Sequence, residues 1–225
     1  MAEQQYQKFL KQFRIKRFKK GEIILCQGEV PECGYAMKSG IVKTYNLTVQ
    51  GEEKPIGFDV PPYEIFPISW VFSKVEHVQY YYEAFTDCEV YCVPPLDYLR
   101  YLMADPARLL EAMDNLVTRY MGLQMRINAL EQSKAPSKVV NTLHFLCLRF
   151  GDEVKKDTVR IQLPLTQQDL ANLIGLTRET TGIELKKLHK AGVLTYKKQN
   201  YLIRTDRLND YLDEEYDLSR MPKLD

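Results

Sequence analysis

The chain has 225 residues, a formal net charge of +1 and 45% hydrophobic residues, which suits two modest globular domains. A nearly neutral chain has no overall attraction to nucleic acid, so any such attraction must be local. No apolar run approaches the about 18 residues of a membrane span, and the N-terminal segment lacks the apolar core of a signal peptide. We therefore expect a bacterial-style cytoplasmic protein without a membrane partner.

The cysteines are odd in number and scattered along the chain. They are Cys26, Cys33, Cys88, Cys92 and Cys147. In a chain without an export signal, this pattern predicts reduced thiols.

The N-terminal half, from residue 18 to about residue 93, is predicted to be β-structure. The runs EIILCQG, YAMKSGIVKTYNLTV and CEVYCV are short and rich in β-branched and aromatic residues, with glycines between them and Pro61-Pro62 near the end. Many short strands at close spacing predict a jelly-roll-like β-barrel. A helix over about residues 3–13 is expected to pack against this barrel. Its inward residues are Tyr6, Leu10 and Phe13.

A long helix is predicted from Pro106 to about Ser133, after Pro94-Pro95 has ended the strands. Apolar residues recur along it at spacings of 3, 4, 3, 4 and 3. This dimer seam consists of Met113, Leu116, Tyr120, Leu123, Ile127 and Leu130. A heptad repeat of this kind predicts a two-helix coiled coil and hence a homodimer. The alternative is a single amphipathic helix that lies on its own barrel.

A second domain is expected after a hinge at residues 133–138, where Pro136 interrupts the helical pattern. An amphipathic helix ends at Gly151, and a charged turn, DEVKKD, leads to the strand VRIQL. The helix LTQQDLANLIG follows, with Thr166 and Asp169 at near capping-box spacing.

The next helix, over about residues 177–190, has Thr177 as its cap and Gly192 as its stop. Two β-runs then flank Lys198-Gln199-Asn200. This order of elements is that of a winged helix-turn-helix. The predicted fold class is therefore α+β, with a barrel over residues 1–105, a dimerisation helix over 106–134 and a winged helix-turn-helix domain over 135–225.

Positive charge is concentrated in this second domain. From Leu165 to Thr205 there are seven Lys and Arg against three acids, a local charge of 7 − 3 = +4. Such a concentration is what a DNA backbone attracts.

The segment LTQQDLANLIGLTRETTGIELKKLHKAGVL resembles the DNA-binding segment of the cAMP receptor protein and fumarate–nitrate regulator (CRP/FNR) family, most specifically in TRET-G--LK-L. KKGEIILCQGE and YAMKSGIVKTY are similar to the first strands of the family's cyclic-nucleotide-binding-type barrel, and the heptad helix is similar to its dimerisation helix. The likeness covers nearly the whole chain. It implies a transcription regulator, not an enzyme, whose partners are a palindromic double-stranded DNA operator, a second copy of the chain and RNA polymerase as a further candidate.

By this resemblance, Arg178 and Glu179 occupy the family's base-reading positions at the start of the recognition helix. An arginine there can bond guanine O6 and N7, and a glutamate can accept from cytosine N4. Ile183 stands where many members carry a second arginine, so it offers only apolar contact, for example to a thymine methyl. The alternative is that Arg178 and Glu179 form a pair that merely solubilises an exposed turn. The other DNA-contact candidates are Thr166, Gln167, Thr177, Thr180, Ile183, Lys186, Lys197 and Lys198.

The barrel departs from the cyclic-nucleotide-binding pattern. Counted back from EAFTDCEV, the family's phosphate-binding arginine falls on Val78 and its glycine and glutamate on Pro67 and Ile68. Without these groups we expect neither cAMP nor cGMP to bind. Aromatic residues instead predict a pocket for a small apolar or aromatic effector, or simply a filled core. The candidate lining residues are Phe66, Trp70, Phe72, Tyr80, Tyr81 and Tyr82, with Leu123 and Gln124 of the long helix.

Metal and catalytic sites are not expected. Iron–sulfur relatives need a cysteine cluster near the N-terminus, and this chain has only Cys26 and Cys33 there. A haem-ligand role for His77 is the less favoured alternative to an exposed histidine in a turn. No catalytic triad, phosphate loop or paired-carboxylate motif stands out, so we predict no cofactor and no metal. A sensor whose C-terminal domain contacts protein rather than DNA is the competing function.

Overall fold

The computed structural model describes residues 2–60 and 65–212. Pro61-Pro62 and the residues from 213 onward lie outside the described residues. The chain divides into two compact units, Met1–Asn115 and Leu116–Asp225, and each is described by itself. The separate helical segment over residues 106–134 stays a prediction.

The first unit consists of a leading helix, eight strands and two further helices. The elements are α1 (Ala2–Leu10), β1 (Ile15–Phe18), β2 (Ile23–Leu25), β3 (Gly34–Ser39), β4 (Val42–Leu47), β5 (Glu53–Asp59), β6 (Ile65–Phe66), α2 (Ile68–Val71), β7 (Tyr81–Ala84), β8 (Cys88–Val93) and α3 (Pro95–Met103). The helix α4 (Pro106–Glu131) begins in this unit and continues into the second.

The strands form two antiparallel sheets, in the orders β1-β8-β3-β6 and β2-β7-β4-β5. Because side chains alternate across a strand, every second residue of each sheet points into the space between them. These inward residues form one buried core that includes Leu25, Met37, Val42, Phe66 and Val90. The layout confirms the predicted jelly-roll-like barrel.

A second core covers the outer face of the sheet that contains β3 and β8. It joins Ala36 and Tyr91 of the sheet to Tyr6 and Leu10 of α1, with Phe13 packed at its border. The predicted packing of the first helix is confirmed, although α1 ends at Leu10.

The helix α3 belongs to the same outer core but was absent from the sequence prediction. Its Tyr98 and Leu102 are buried one turn apart. From the sequence, Pro94-Pro95 predicts only the end of the strands. In the structure Pro95 opens the helix, because proline lacks the N–H that a first helical turn leaves unpaired anyway.

The second unit contains the rest of α4 and a helix-turn-helix with a four-stranded sheet. Its elements are α5 (Ala135–Phe150), β9 (Gly151–Lys155), β10 (Thr158–Ile161), α6 (Gln167–Ile174), α7 (Arg178–Lys190), β11 (Leu194–Lys197), β12 (Asn200–Arg204) and α8 (Thr205–Asn209). The sheet order is β11-β12-β10-β9. The predicted winged helix-turn-helix is therefore confirmed.

One part of that prediction was wrong. The charged segment after Gly151 is mostly the strand β9, and the turn consists only of Lys156 and Asp157. β9 pairs only with β10, so it is an edge strand among those described. Charged side chains on an edge strand keep it from pairing with other chains, which is why its sequence lacks an alternating apolar pattern.

The two helices of the helix-turn-helix have the predicted ends. At the start of α6, the Thr166 hydroxyl accepts from the backbone of Asp169 and the Asp169 carboxylate accepts from the backbone of Thr166, a full capping box. Gly175 then adopts a left-handed φ of 73° that reverses the chain. Thr177 caps α7 by accepting from the Thr180 N–H.

The prediction of five reduced thiols was wrong. Cys33 and Cys92 form a disulfide with a Cα–Cα distance of 5.5 Å. Cys33 lies just before β3 and Cys92 lies on the neighbouring strand β8, so strand pairing brings together two residues 59 positions apart. Cys26 is exposed, and Cys88 and Cys147 are buried free thiols.

Candidate nucleic-acid interface

The helix α7 has one buried face and one exposed face. Thr181, Leu185 and Leu188 are buried on the inner side. The opposite face carries residues at spacings of 4, 3 and 4, which keeps them on one side of a helix. They are Glu179, Ile183, Lys186 and Lys190, and all four are exposed.

Arg178 and Glu179 occupy the first turn of α7 and are both exposed. Within residues 2–60 and 65–212, neither side chain makes a hydrogen bond or an ion pair. The two side chains therefore do not pair with each other, and both are available to a ligand. Ile183 is 55% exposed, unusually open for a large apolar residue in the middle of a helix.

The lysines of this unit differ in whether they form an ion pair. Lys187 Nζ donates to Glu184 Oε1 at 2.7 Å. Lys186 on α7 and Lys197 and Lys198 at the hairpin tip have no ion pair within the described part of the chain. Lys198 adopts a φ of 56° in the two-residue turn between β11 and β12, which places both hairpin lysines at the tip of the wing.

Some of the polar side chains that are predicted to contact DNA near the helix starts already form hydrogen bonds within the protein. The Thr166 hydroxyl lies 2.6 Å from Asp169 Oδ2 and is committed to the capping box. The Thr177 and Thr180 hydroxyls bond to each other at 2.9 Å. Gln167 is half-buried, and its Oε1 lies 3.6 Å from where a Cβ on Gly182 would stand, so it sits between α6 and α7.

The dimer seam is an exposed apolar stripe along α4. Five of its residues are about half-exposed although all are large and apolar. They are Met113 at 50%, Leu116 at 48%, Tyr120 at 59%, Leu123 at 49% and Ile127 at 58%.

Leu130, the last seam residue, is less exposed than the other five. Its Cδ2 lies 4.0 Å from where a Cβ on Gly175 would stand, so it packs toward the turn between α6 and α7. At the other end, Leu109 is not part of the predicted seam, although it continues the repeat four residues before Met113. Leu109 is 45% exposed, and Leu110 and Val117 beside it are exposed as well.

The predicted effector pocket is only partly assembled. Phe66, Tyr80 and Tyr82 belong to the core between the two sheets, where Phe66 stacks on Tyr82 with 5.1 Å between ring centroids. Trp70 packs on the outer core, and Phe72 is exposed. Of the remaining candidates, Tyr81 stacks on Tyr45. Leu123 and Gln124 are exposed on α4 within the second unit.

Two of the positions that match the family's phosphate-binding groups carry apolar side chains that pack against a core. Val78 is 2% exposed and belongs to the core between the sheets. Ile68 packs against the outer core, and Gln79 is exposed. Val78, Gln79 and Ile68 carry no charged side chain that could pair with a phosphate.

The histidines are not arranged for chemistry. His77 is exposed, as predicted. His144 is buried on α5, and desolvation lowers its pKa to about 4. In the described parts of the chain, no group of three or more His, Cys, Asp or Glu could hold a metal ion. No helix there is long and apolar enough to cross a membrane.

Comparison with known proteins identifies both units. Residues 15–105 match the cyclic nucleotide-binding domain family, and residues 137–211 match the Crp-like helix-turn-helix domain family. The HTH-type transcriptional regulator ArcR of Staphylococcus haemolyticus is 26% identical over 88% of this chain and 85% of its own. The fumarate and nitrate reduction regulatory protein of Shigella dysenteriae is 26% identical over 82% and 72%.

A solved structure shows the same fold. FixK2 from Bradyrhizobium japonicum superposes with a TM-score of 0.72 at 20% identity, covering 88% of this chain and 96% of that one. The similar proteins found are transcription regulators rather than enzymes. With a cyclic-nucleotide-binding-type barrel followed by a Crp-like DNA-binding helix-turn-helix domain, the chain belongs to the CRP/FNR family of transcription regulators.

Proposed function

We propose that the protein binds a palindromic operator as a homodimer and reads its sequence by placing α7 in the major groove. The observation that carries this proposal is the first turn of α7, where Arg178 and Glu179 are exposed and unpaired within the described residues. An exposed charge without an internal partner can turn toward a ligand without breaking a hydrogen bond or ion pair within the protein. The N-terminal turn of a recognition helix is also the part that contacts base edges.

The two residues recognise complementary chemistry. The Arg178 guanidinium presents a donor fork to guanine O6 and N7, and the Glu179 carboxylate accepts from cytosine N4. Ile183, one turn further along the outer face, supplies apolar contact to a thymine methyl. A half-site read by this set contains a G, a nearby C and an A·T pair.

The surrounding basic residues position the protein on the backbone. Lys186 flanks the base-reading turn, and Lys197 and Lys198 lie at the wing tip. Phosphate contacts fix register and orientation but carry no sequence information directly. Thr177, Thr180 and Gln167 are secondary candidates, and Thr166 acts mainly through the capping box that fixes α6.

The dimer forms through the exposed stripe on α4. Burying half-exposed Leu, Ile and Tyr side chains against a second copy is favourable at about 25 cal/mol per Å² of apolar surface. A twofold axis along paired α4 helices relates two copies of α7, which makes the operator palindromic.

The barrel is a sensor that has lost cyclic-nucleotide binding. Val78, Ile68 and Pro67 replace the phosphate-binding groups and are used in packing. If the barrel takes an effector, the aromatic residues of its core select a small apolar or aromatic molecule. RNA polymerase is the further candidate partner, and the proposed site of action is the cytoplasm.

The DNA-binding part of the proposal is tested by the salt dependence of binding. The purified chain is titrated onto a random-sequence duplex at 50–200 mM salt. A steep fall in affinity with salt is expected, because lysines that neutralise phosphates release counterions. Lys197→Ala should reduce the slope by about 1 and weaken all sequences about equally, whereas Lys155→Ala, on the edge strand β9, serves as the matched control.

A protein-binding C-terminal domain would give weak, salt-insensitive retention on DNA and the same slope for both variants. The sensor part is tested separately by calorimetric titration with cAMP and cGMP. No saturable heat is expected up to millimolar ligand. A dissociation constant in the micromolar range, about −8 kcal/mol, would show that the phosphate-binding groups lie elsewhere in the barrel.

A further inference from the structure

We propose that Cys33 and Cys92 form a reversible thiol–disulfide pair that exchanges with low-molecular-weight thiols and gives the barrel a redox input. The two residues lie at one end of the sheet that contains β3 and β8. The bond closes a loop of 59 positions, so making or breaking it changes how firmly the start of β3 is held to β8.

Strand pairing keeps the two sulfurs together in either redox state. Tyr35 pairs with Cys92 in the antiparallel ladder between β3 and β8. Cys33 is two residues before Tyr35 and points to the same face, so it is a diagonal neighbour of Cys92. The ladder sets their Cα–Cα distance of 5.5 Å, which is ordinary for a disulfide. The bond can therefore open and close without moving the strands.

A cation lies directly beside one of the two sulfurs. Arg14 Nη2 approaches Cys92 Sγ at 3.6 Å, and the Cys92 N–H donates to the Arg14 carbonyl oxygen at 3.0 Å. The backbone bond anchors Arg14 to the strand that carries the sulfur. A guanidinium in this position stabilises a thiolate, which is the reactive form in thiol–disulfide exchange.

Charged groups of both signs surround Arg14. Glu32 forms ion pairs with both Arg14 and Lys16, and Lys16 also donates to the Tyr35 hydroxyl at 3.3 Å. Burial raises the pKa of Tyr35, and the Glu29 carboxylate adds to that rise. Two cations thus face two carboxylates, and of these groups Arg14 is the one in contact with Cys92 Sγ. Cys92 and Cys33 are 7% and 2% exposed, so exchange with a small thiol requires the Arg14 and Glu32 side chains, which are 58% and 54% exposed, to move aside.

The three free cysteines have different surroundings from Cys92. Cys88 lies on the same strand face as Cys92, but burial raises the pKa of its thiol. Burial likewise raises the pKa of the Cys147 thiol to about 12. Cys26 is exposed, and no cation contacts its sulfur within the described part of the chain. Cys92 alone combines a neighbouring cation with an adjacent partner thiol.

The exchange has two steps. The Cys92 thiolate attacks one sulfur of a small disulfide RSSR, forming a mixed disulfide and releasing RS⁻. Cys33 then loses its proton to solvent, and its thiolate attacks the Cys92 sulfur and releases the second RS⁻. The two protein thiols are oxidised, RSSR is reduced to two RSH after protonation, and the reverse sequence restores the dithiol.

The test equilibrates the full-length protein in buffers with a series of reduced-to-oxidised glutathione ratios. Samples are quenched with acid, denatured and alkylated, and the number of labels is read by intact mass. We expect five labels in reducing buffers and three in oxidising buffers. The missing two should map to Cys33 and Cys92, and the transition should be reached from both directions. Cys26→Ser should show the same transition with one label fewer.

Arginine variants test the role of the cation. Arg14→Gln should form the bond several-fold more slowly than the parent, and Arg14→Lys, which keeps the charge, should stay close to the parent rate. Five labels at every ratio would show that no bond forms. Three labels at every ratio would show a permanently locked bond. Either result, loss of the bond in Cys26→Ser, or equal rates for Arg14→Gln and Arg14→Lys would overturn the proposal. None of these measurements depends on DNA binding.

Discussion

At the scale of single residues, the proposed DNA recognition depends on the few side chains near the start of α7 that have no hydrogen-bond or ion-pair partner within the described residues. Thr177 and Thr180 satisfy each other, and Thr166 is committed to its capping box. Arg178 and Glu179 are left exposed and unpaired in the described structure. Because a good bidentate contact discriminates against the wrong base by roughly 1–3 kcal/mol, we propose that these two side chains define one strongly preferred step in each half-site.

The first prediction concerns these residues. Arg178→Ala should abolish preference for one guanine in each half-site, at a cost of roughly 1–3 kcal/mol per half-site. Glu179→Ala should relax preference at one pyrimidine and raise non-specific affinity, because it removes a negative charge near phosphates. Selection of binding sites from random DNA checks both. Base reading by these residues is ruled out if both variants select the parent motif and differ only in overall affinity.

His144 provides a prediction about pH. It is buried, its Nε2 has no hydrogen-bond partner in the described structure, and desolvation lowers its pKa from 6.5 to about 4. Between these values the unfolded chain binds more protons than the folded one, so stability falls as pH decreases below about 6.5. From this residue alone, the free energy of unfolding should be about 2 kcal/mol lower at pH 5 than at pH 7.5.

Denaturant unfolding at the two pH values measures this effect. His144→Leu should lose most of the pH dependence in this range, because it removes the titrating group without leaving a buried polar one. An unchanged difference between pH 5 and pH 7.5 in that variant would assign the effect to other groups.

At the scale of elements, helix ends were predictable because their signals are local. Thr166, Thr177 and the two stop glycines fix α6 and α7 by bonds within a few residues. β9 and the disulfide were not predictable from the sequence, because both are set by strand pairing between distant segments. The charges of β9 reflect its place at a sheet edge, and Cys33 meets Cys92 only through the register of β3 on β8.

The candidate site also has features that could be predicted from the sequence and features that could not. The exposure of Glu179 and Ile183 follows from the helical period of Leu185 and Leu188, so it could be predicted from the sequence. Arg178 lies seven residues before Leu185, on the Leu185 side, and is exposed at the first residue of the helix. The effector pocket could not be predicted from the sequence. Whether Phe66 and Trp70 line one cavity depends on the sheet face that each one meets, and the structure places them in different cores.

Gly182, in the middle of α7, gives a prediction for this element. A Cβ added there would lie 3.6 Å from Gln167 Oε1, an ordinary contact. Gly182→Ala should therefore stabilise the second unit by about 0.5–1 kcal/mol through helix propensity. Gly175→Ala is the matched control: its φ of +73° makes any side chain strained although the space around it is open.

Thermal unfolding of the two alanine variants should shift in opposite directions. A lower midpoint for Gly182→Ala would mean that the close approach of α6 to α7 does not tolerate a methyl group.

At the scale of the whole molecule, we propose that the exposed stripe on α4 pairs two copies of this nearly neutral chain into a symmetric DNA-binding dimer. Ile127→Lys would place two like charges across the seam, where a buried unpaired charge costs about 3–5 kcal/mol. The variant should sediment as a monomer at micromolar concentration, while the parent sediments as a dimer. Asp114→Lys, exposed on the same helix but off the seam, should stay dimeric. A dimeric Ile127→Lys would place the interface elsewhere.

A footprint of the purified protein across the genomic DNA of its own source organism tests the central claim most directly, because it reports affinity, sequence and symmetry together. We predict discrete protected sites with an inverted repeat, whose half-site centres are about one helical turn, 34–36 Å, apart. Each half should contain the guanine assigned to Arg178. Uniform protection without discrete sites, or sites without twofold symmetry, would contradict the account of a homodimer that reads DNA through α7.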